Sequence, residues 1–110
     1  MFGKLSELQS MMKQAAQIGR QMKQLHEDLA NRTVEVAVGA GLVKVTANGR
    51  GEVIALVIDP DLMKPEERET LQELVLAAVN EAGRKARELA KAEMAKLTGG
   101  IDIAGILGIS

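Results

Sequence analysis

The chain has 110 residues, with 14 lysines and arginines against 15 aspartates and glutamates, for a net charge of −1. That length suits one domain. The absence of cysteine excludes disulfides and thiolate metal sites, and the near-neutral balance means that no global charge announces a nucleic-acid partner.

Hydrophobic residues make up 46% of the chain and aromatics only 1%. Burial therefore falls to Leu, Val, Ile, Met and Ala, and a small core of that kind gains from association with a second copy. The opening MFGKLSELQS has no apolar h-region, and no run approaches the ~20 apolar residues of a membrane span. A soluble, intracellular protein without a membrane partner is expected.

Residues 4–30 carry helical spacing. Leu8, Ala15, Met22 and Leu29 recur every seven residues, and Met11, Ile18 and Leu25 fall three after the first three of these. That is an a/d seam running from Leu8 to Leu29. Such a seam has two uses, packing on the domain's own sheet or pairing with a second chain, and a long helix has room for both. The other faces carry Gln14, Gln17, Gln21 and Gln24 with Lys13, Arg20 and Lys23.

Residues 33–38, TVEVAV, and 42–48, LVKVTAN, alternate as strands do. Asn48-Gly49 predicts a two-residue hairpin with positive φ at both positions. The third strand, residues 52–58, differs. Ile54, Leu56 and Ile58 are assigned to one face and Val53, Ala55 and Val57 to the other, so both faces are apolar. A strand of this kind is covered on both sides. One helix covers one side, which leaves the other for a further helix or a partner subunit.

Asp59-Pro60-Asp61 ends the third strand, and Pro65 opens a long helix whose first turn holds Glu66, Glu67 and Glu69. Leu71, Leu74, Val75, Ala78, Val79, Ala82 and Leu89 give its buried stripe. Between Ala82 and Leu97, the basic residues Arg84, Lys85, Arg87, Lys91 and Lys96 outnumber Glu88 and Glu93. Thr98-Gly99-Gly100 is a stop signal. The predicted order is helix, three-stranded antiparallel sheet, long helix: an α+β domain over residues 1–100. The tail 101–110, IDIAGILGIS, has no period long enough for an element.

Catalytic readings fail on spacing. Gly39-Ala-Gly41-Leu-Val-Lys44 enters a strand and not a helix, and Val45 follows the lysine, so neither a P-loop nor a dinucleotide fingerprint fits. A turn or bulge between the first two strands is expected there. Asp59 and Asp61 read as turn and cap residues. His26 is the only histidine and has no Ser or Cys partner at a recognisable spacing. No enzymatic activity, cofactor, metal or small-molecule substrate is expected. What remains is charge on helices. From Leu8 to Leu25 the first helix has Lys13, Arg20 and Lys23 and no acid, and a dimer doubles each such patch. Two basic helices at a fixed separation can straddle a duplex and contact its phosphates.

MFGKLSELQSMMKQAAQIGRQMKQLHEDLA, GAGLVKVTANGRGEV, VIDPDLM and LQELVLAAVNEAGRKARELAKAEMAKLTGG, in this order and at these spacings, resemble the YbaB/EbfC family of bacterial nucleoid-associated proteins from Met1 to about Gly100. The resemblance implies a tweezer-like homodimer with helices projecting from a central sheet. It also implies binding of double-stranded DNA with little sequence selectivity, and a role in nucleoid organisation and gene expression in the cytoplasm. By that similarity, DNA contact falls on Lys13, Arg20 and Lys23 of the first helix and on Arg84, Lys85, Arg87 and Lys91 of the last. The tail departs from the family pattern: family tails are often rich in Gly, Met and Pro, whereas IDIAGILGIS is Ile-rich without Pro. The alternative is a protein-interaction adaptor whose seam, with Met11, Met12 and Met22, accepts a partner helix.

Overall fold

The computed structural model describes residues 2–97; the Thr98-Gly99-Gly100 stop and the tail 101–110 lie outside the described residues. Helix α1 spans Phe2–Leu29, strands β1, β2 and β3 span Thr33–Val38, Val43–Asn48 and Val53–Ile58, and helix α2 spans Arg68–Leu97. Two short 3-10 turns, Pro60–Leu62 and Pro65–Glu67, join β3 to α2. Pro65 therefore starts the turn before α2 and not α2 itself. The fixed φ of proline suits either position.

The sheet is an antiparallel meander in the order β1-β2-β3. Its inner face carries Val36, Val43, Val45 and Ala47, which bury against Ala78 and Ala82 of α2 and Leu62 of the first 3-10 turn. The small alanines let α2 lie close to the strands. α2 runs over β1 and β2 and leaves β3 open. Val53, Ile54, Leu56 and Val57 are accordingly exposed.

The face assignment predicted for β3 is corrected by a bulge. Val43 pairs with Ile58, Val45 with Leu56 and Ala47 with Val53, while Thr46 pairs with Ala55. Ile54 is thus an extra residue, and Val53 joins Leu56 and Ile58 on the inner face. A bulge inserts one residue and resets the alternation beyond it. Among the described residues the expected cover is also missing: β3 is exposed from Val53 to Val57, and only Ile58 is half-buried against the core.

The β2–β3 loop is corrected too. Gly51 is left-handed, with φ 85°, whereas Asn48 and Gly49 are not. The connection is a three-residue loop, Gly49-Arg50-Gly51, whose last residue is left-handed, another favoured hairpin. Asn48 serves it through its side chain. Its Oδ1 accepts from the backbone N–H of Arg50 and of Glu52, each at 3.0 Å. Its Nδ2 donates to Glu52 Oε1 at 3.0 Å. The Gly39-Ala40-Gly41 turn between β1 and β2 holds three successive left-handed residues, with φ 61°, 57° and 88°.

Gly49 answers to crowding. Its N–H is shared between the carbonyls of Leu29 and Arg32, both at 2.8 Å. A Cβ there would lie 2.7 Å from Leu29 Cδ2 and 2.9 Å from the Leu29 carbonyl oxygen. This contact seats the end of α1 on the hairpin. Gly49→Ala is expected to destabilise the fold by about 1–3 kcal/mol through overpacking, read as a lowered urea midpoint. A midpoint equal to wild type would contradict the crowding.

Beyond that joint α1 stands away from the domain. Leu29 is buried, Met22 and Leu25 are half-buried, and residues 3–21 are exposed throughout. The molecule is elongated, 78 × 25 × 18 Å with a radius of gyration of 20.6 Å, where a compact chain of this size has about 13 Å. The seam expected on α1 thus divides. Its C-terminal end packs on the domain, and Leu8, Met11 and Ile18 remain 57–64% exposed.

Candidate nucleic-acid interface

Lys13, Arg20 and Lys23 are exposed on the projecting part of α1. Lys13 and Arg20 are two turns apart and share a face, and Lys23 follows Arg20 by one turn. Among the described residues, none of the three has an ion-pair partner within 4.0 Å. Gln14, Gln17 and Gln21 are exposed beside them. Gln24 is already engaged, with Nε2 donating to Asp28 Oδ1 at 2.9 Å.

The second cluster lies on α2. Arg84, Lys85, Arg87 and Lys91 are all exposed, and Ala78, Ala82 and Ala86 are buried against the sheet side. Helical spacing places Arg84, Arg87 and Lys91 as neighbours at i, i+3 and i+7, turned away from that alanine stripe. Arg84 is not a free cation. Its Nε donates to Glu81 Oε2 at 2.9 Å and its Nη1 to Glu88 Oε1 at 2.6 Å. Its Nη2 donates to the other Glu81 oxygen. The hydrogen bond from Arg84 lowers the Glu81 pKa, and the same bond raises that of Arg84. This clamp was missed as a functional feature, although its i, i+3 and i+4 spacing is readable.

A third basic group ties elements together. Arg32 Nη1 donates to Glu93 Oε1 at 3.0 Å, and Lys96 Nζ donates to the same oxygen at 3.2 Å. The hydrogen bond from Lys96, then that from Arg32, lowers the Glu93 pKa below its ordinary 4.5. A carboxylate lowered in the folded state adds stability that is fully present above its unfolded pKa and is lost as pH falls through the folded one. Wild type should therefore melt above Glu93→Gln at pH 7, and the gap should begin to close as pH falls below about 4. A gap that widens as pH falls below that point would contradict this.

Asp59 and Asp61 do structural work. Asp59 Oδ1 accepts from the Asp61 N–H at 2.8 Å and caps the first 3-10 turn, while His26 is exposed. Among the described residues no His, Asp and Glu group is placed to hold a metal ion. No helix among them is long and apolar enough to cross a membrane.

One further surface was signalled by the apolar third strand but is formed by two elements. Leu56 and Ile58 of β3 face Leu71, Val75, Leu76 and Val79 of α2 across an open groove of about 490 Å³. Among the described residues the outer edge of β3 has no neighbouring strand, and the sequence of β3, VIALVI, has no charge or proline to guard it.

Comparison with family models shows one family. The model of the YbaB/EbfC DNA-binding family matches residues 3–101. A nucleoid-associated protein of Thermoanaerobacter pseudethanolicus is 46% identical over 99 residues, 90% of this chain and 89% of its own. One from Moorella thermoacetica is 48% identical over 101 residues, covering 92% and 97% of the two chains. Among solved structures, an uncharacterized protein, HP0035 from Helicobacter pylori, superposes with a TM-score of 0.73 at 25% identity, covering 80% of this chain and 92% of that one.

Proposed function

We propose that this chain, which belongs to the YbaB/EbfC DNA-binding family, is a nucleoid-associated protein that binds duplex DNA as a homodimer, mainly through phosphate contacts. It acts in the cytoplasm, on the nucleoid, in organising DNA and gene expression, and has no catalytic role. The observation that carries the reading is the exposed, acid-free stretch of α1 around Lys13, Arg20 and Lys23. Lysine and arginine there neutralise phosphates whatever the base sequence, and Gln14, Gln17 and Gln21 add hydrogen-bond donors. Lys85, Arg87 and Lys91 supply a second basic strip on α2.

The open β3 edge and the groove beside α2 support the dimer. A second copy seated there covers Leu56, Leu76, Val79 and the unguarded strand by one self-complementary contact. It also doubles the basic helices. Sedimentation of the protein with and without a mixed-sequence duplex tests this. A two-chain particle that co-sediments with DNA is expected, and a single-chain particle indifferent to DNA would overturn the reading.

A second reading rests on the exposed seam of Leu8, Met11, Met12 and Ile18, which suits an apolar partner helix. Capture of a protein partner that survives nuclease and high salt, and is lost in Met11→Asp, favours that reading over the first.

A further inference from the structure

The seven candidate cations are not equivalent. Among the described residues, six of them stand free of ion pairs, and Arg84 is held by two carboxylates at once. Glu81, Arg84 and Glu88 are spaced i, i+3 and i+7, so the carboxylates lie one turn before and one turn after the guanidinium. Glu81 takes two of its donors, Nε and Nη2, in the forked arrangement that arginine also offers to a phosphate. Glu88 takes Nη1. The three side chains together carry a net −1.

We infer that Glu81 and Glu88 stand in for DNA phosphates at Arg84, withholding this arginine from the duplex and limiting the affinity of the α2 face. The inference rests on the DNA-binding reading above. Each exposed ion pair alone is weak. A phosphate approaching Arg84, however, must displace two anions to gain one, and both displaced carboxylates then face the duplex uncompensated. The exchange yields little net attraction. On α1, Lys13 and Arg20 have no acid within one turn, and Lys23, with Glu27 four residues on, makes no ion pair among the described residues. α2 therefore meets phosphates through Lys85, Arg87 and Lys91, and the clamp keeps a chain of net charge −1 a moderate binder.

A four-protein cycle tests the inference: wild type, Arg84→Gln, Glu81→Gln with Glu88→Gln, and all three substitutions together. Each full chain is titrated with one mixed-sequence duplex between about 50 and 200 mM salt, where each phosphate contact contributes a slope of about −0.9 in log K against log salt. Helical circular dichroism checks that all four are folded. Arg84→Gln alone is expected to lower the slope by much less than it does in the double glutamine variant. The double glutamine variant is expected to steepen it by about one contact per protomer and to raise affinity several-fold at the lower salt. Adding Arg84→Gln to the double variant should return the slope to that of wild type.

If Arg84→Gln lowers the slope equally in both backgrounds, Arg84 is an ordinary phosphate ligand and the inference is overturned. An unchanged double variant overturns it too, leaving the wild-type DNA binding intact. If neither wild type nor the double variant binds duplex at any salt, the DNA-binding reading itself falls and takes the inference with it.

Discussion

Leu56→Asp is expected to halve the particle mass in solution and to weaken duplex binding with it. Leu56 is 47% exposed in the single chain, so the domain core of Val36, Val43, Val45 and Ala47 does not depend on it. In the proposed dimer the same side chain is buried against a second copy. Losing a buried leucine removes about 1.5–3 kcal/mol of transfer free energy. An unpaired carboxylate enclosed there adds a desolvation cost of several kcal/mol. By symmetry the substitution enters the interface twice. The combined loss corresponds to at least a hundredfold weaker self-association. Lys44→Gln, on the outward face of β2, changes the net charge by the same one unit and serves as a control for charge alone. Retention of a two-chain particle by Leu56→Asp, at concentrations where the wild type is just saturated, would place the dimer contact elsewhere.

The second large effect is expected from Lys13→Glu, Arg20→Glu and Lys23→Glu made together. In a dimer this reverses six charges on the projecting helices. Losing several phosphate contacts removes about 0.9 from the salt slope for each, so duplex affinity should fall by orders of magnitude at low salt and the remaining binding, through Lys85, Arg87 and Lys91, should show a shallower salt slope. Because α1 makes no core contact before Met22, the melting temperature should hold. A collapse of DNA binding together with the fold would instead mean that α1 supports the domain along its length. Equal losses for two unrelated duplexes would mark phosphate contact, and a loss confined to one sequence would mark base reading.

Most of the architecture was legible because the local signals agree with one another. The seven-residue repeat from Leu8, the alternation in TVEVAV and the Pro65 to Glu69 helix entry each specify one element, and each element forms close to its predicted bounds. The errors share a cause. Asn48-Gly49 carries the chemistry of a two-residue turn, yet Gly49 is required by the nearby Leu29 carbonyl, a contact far away in sequence. Gly51 takes the left-handed position instead. The bulge at Ile54 was hidden because VIALVI is apolar at every position, so no alternation marks the register.

The candidate site was legible as composition more than as geometry. The acid-free run of α1 can be read directly, and the structure adds that this run projects into solvent. Counting charges on α2 gave Arg84 the same standing as Arg87 and Lys91. Only the bonds to Glu81 and Glu88 separate them. The open face of β3 was foreshadowed by its two apolar sides, but the groove it makes with Leu71, Val75 and Val79 needed the crossing of α2 over β1 and β2.

The central claim is phosphate-based binding of duplex DNA, and the salt dependence of the binding constant tests it most directly. Wild-type protein is titrated with two duplexes of unrelated sequence across about 50 to 200 mM salt. Similar affinities for the two, and one steep, shared decline of log K with log salt, are expected. A flat line, or no binding by micromolar protein at the lowest salt, would contradict it.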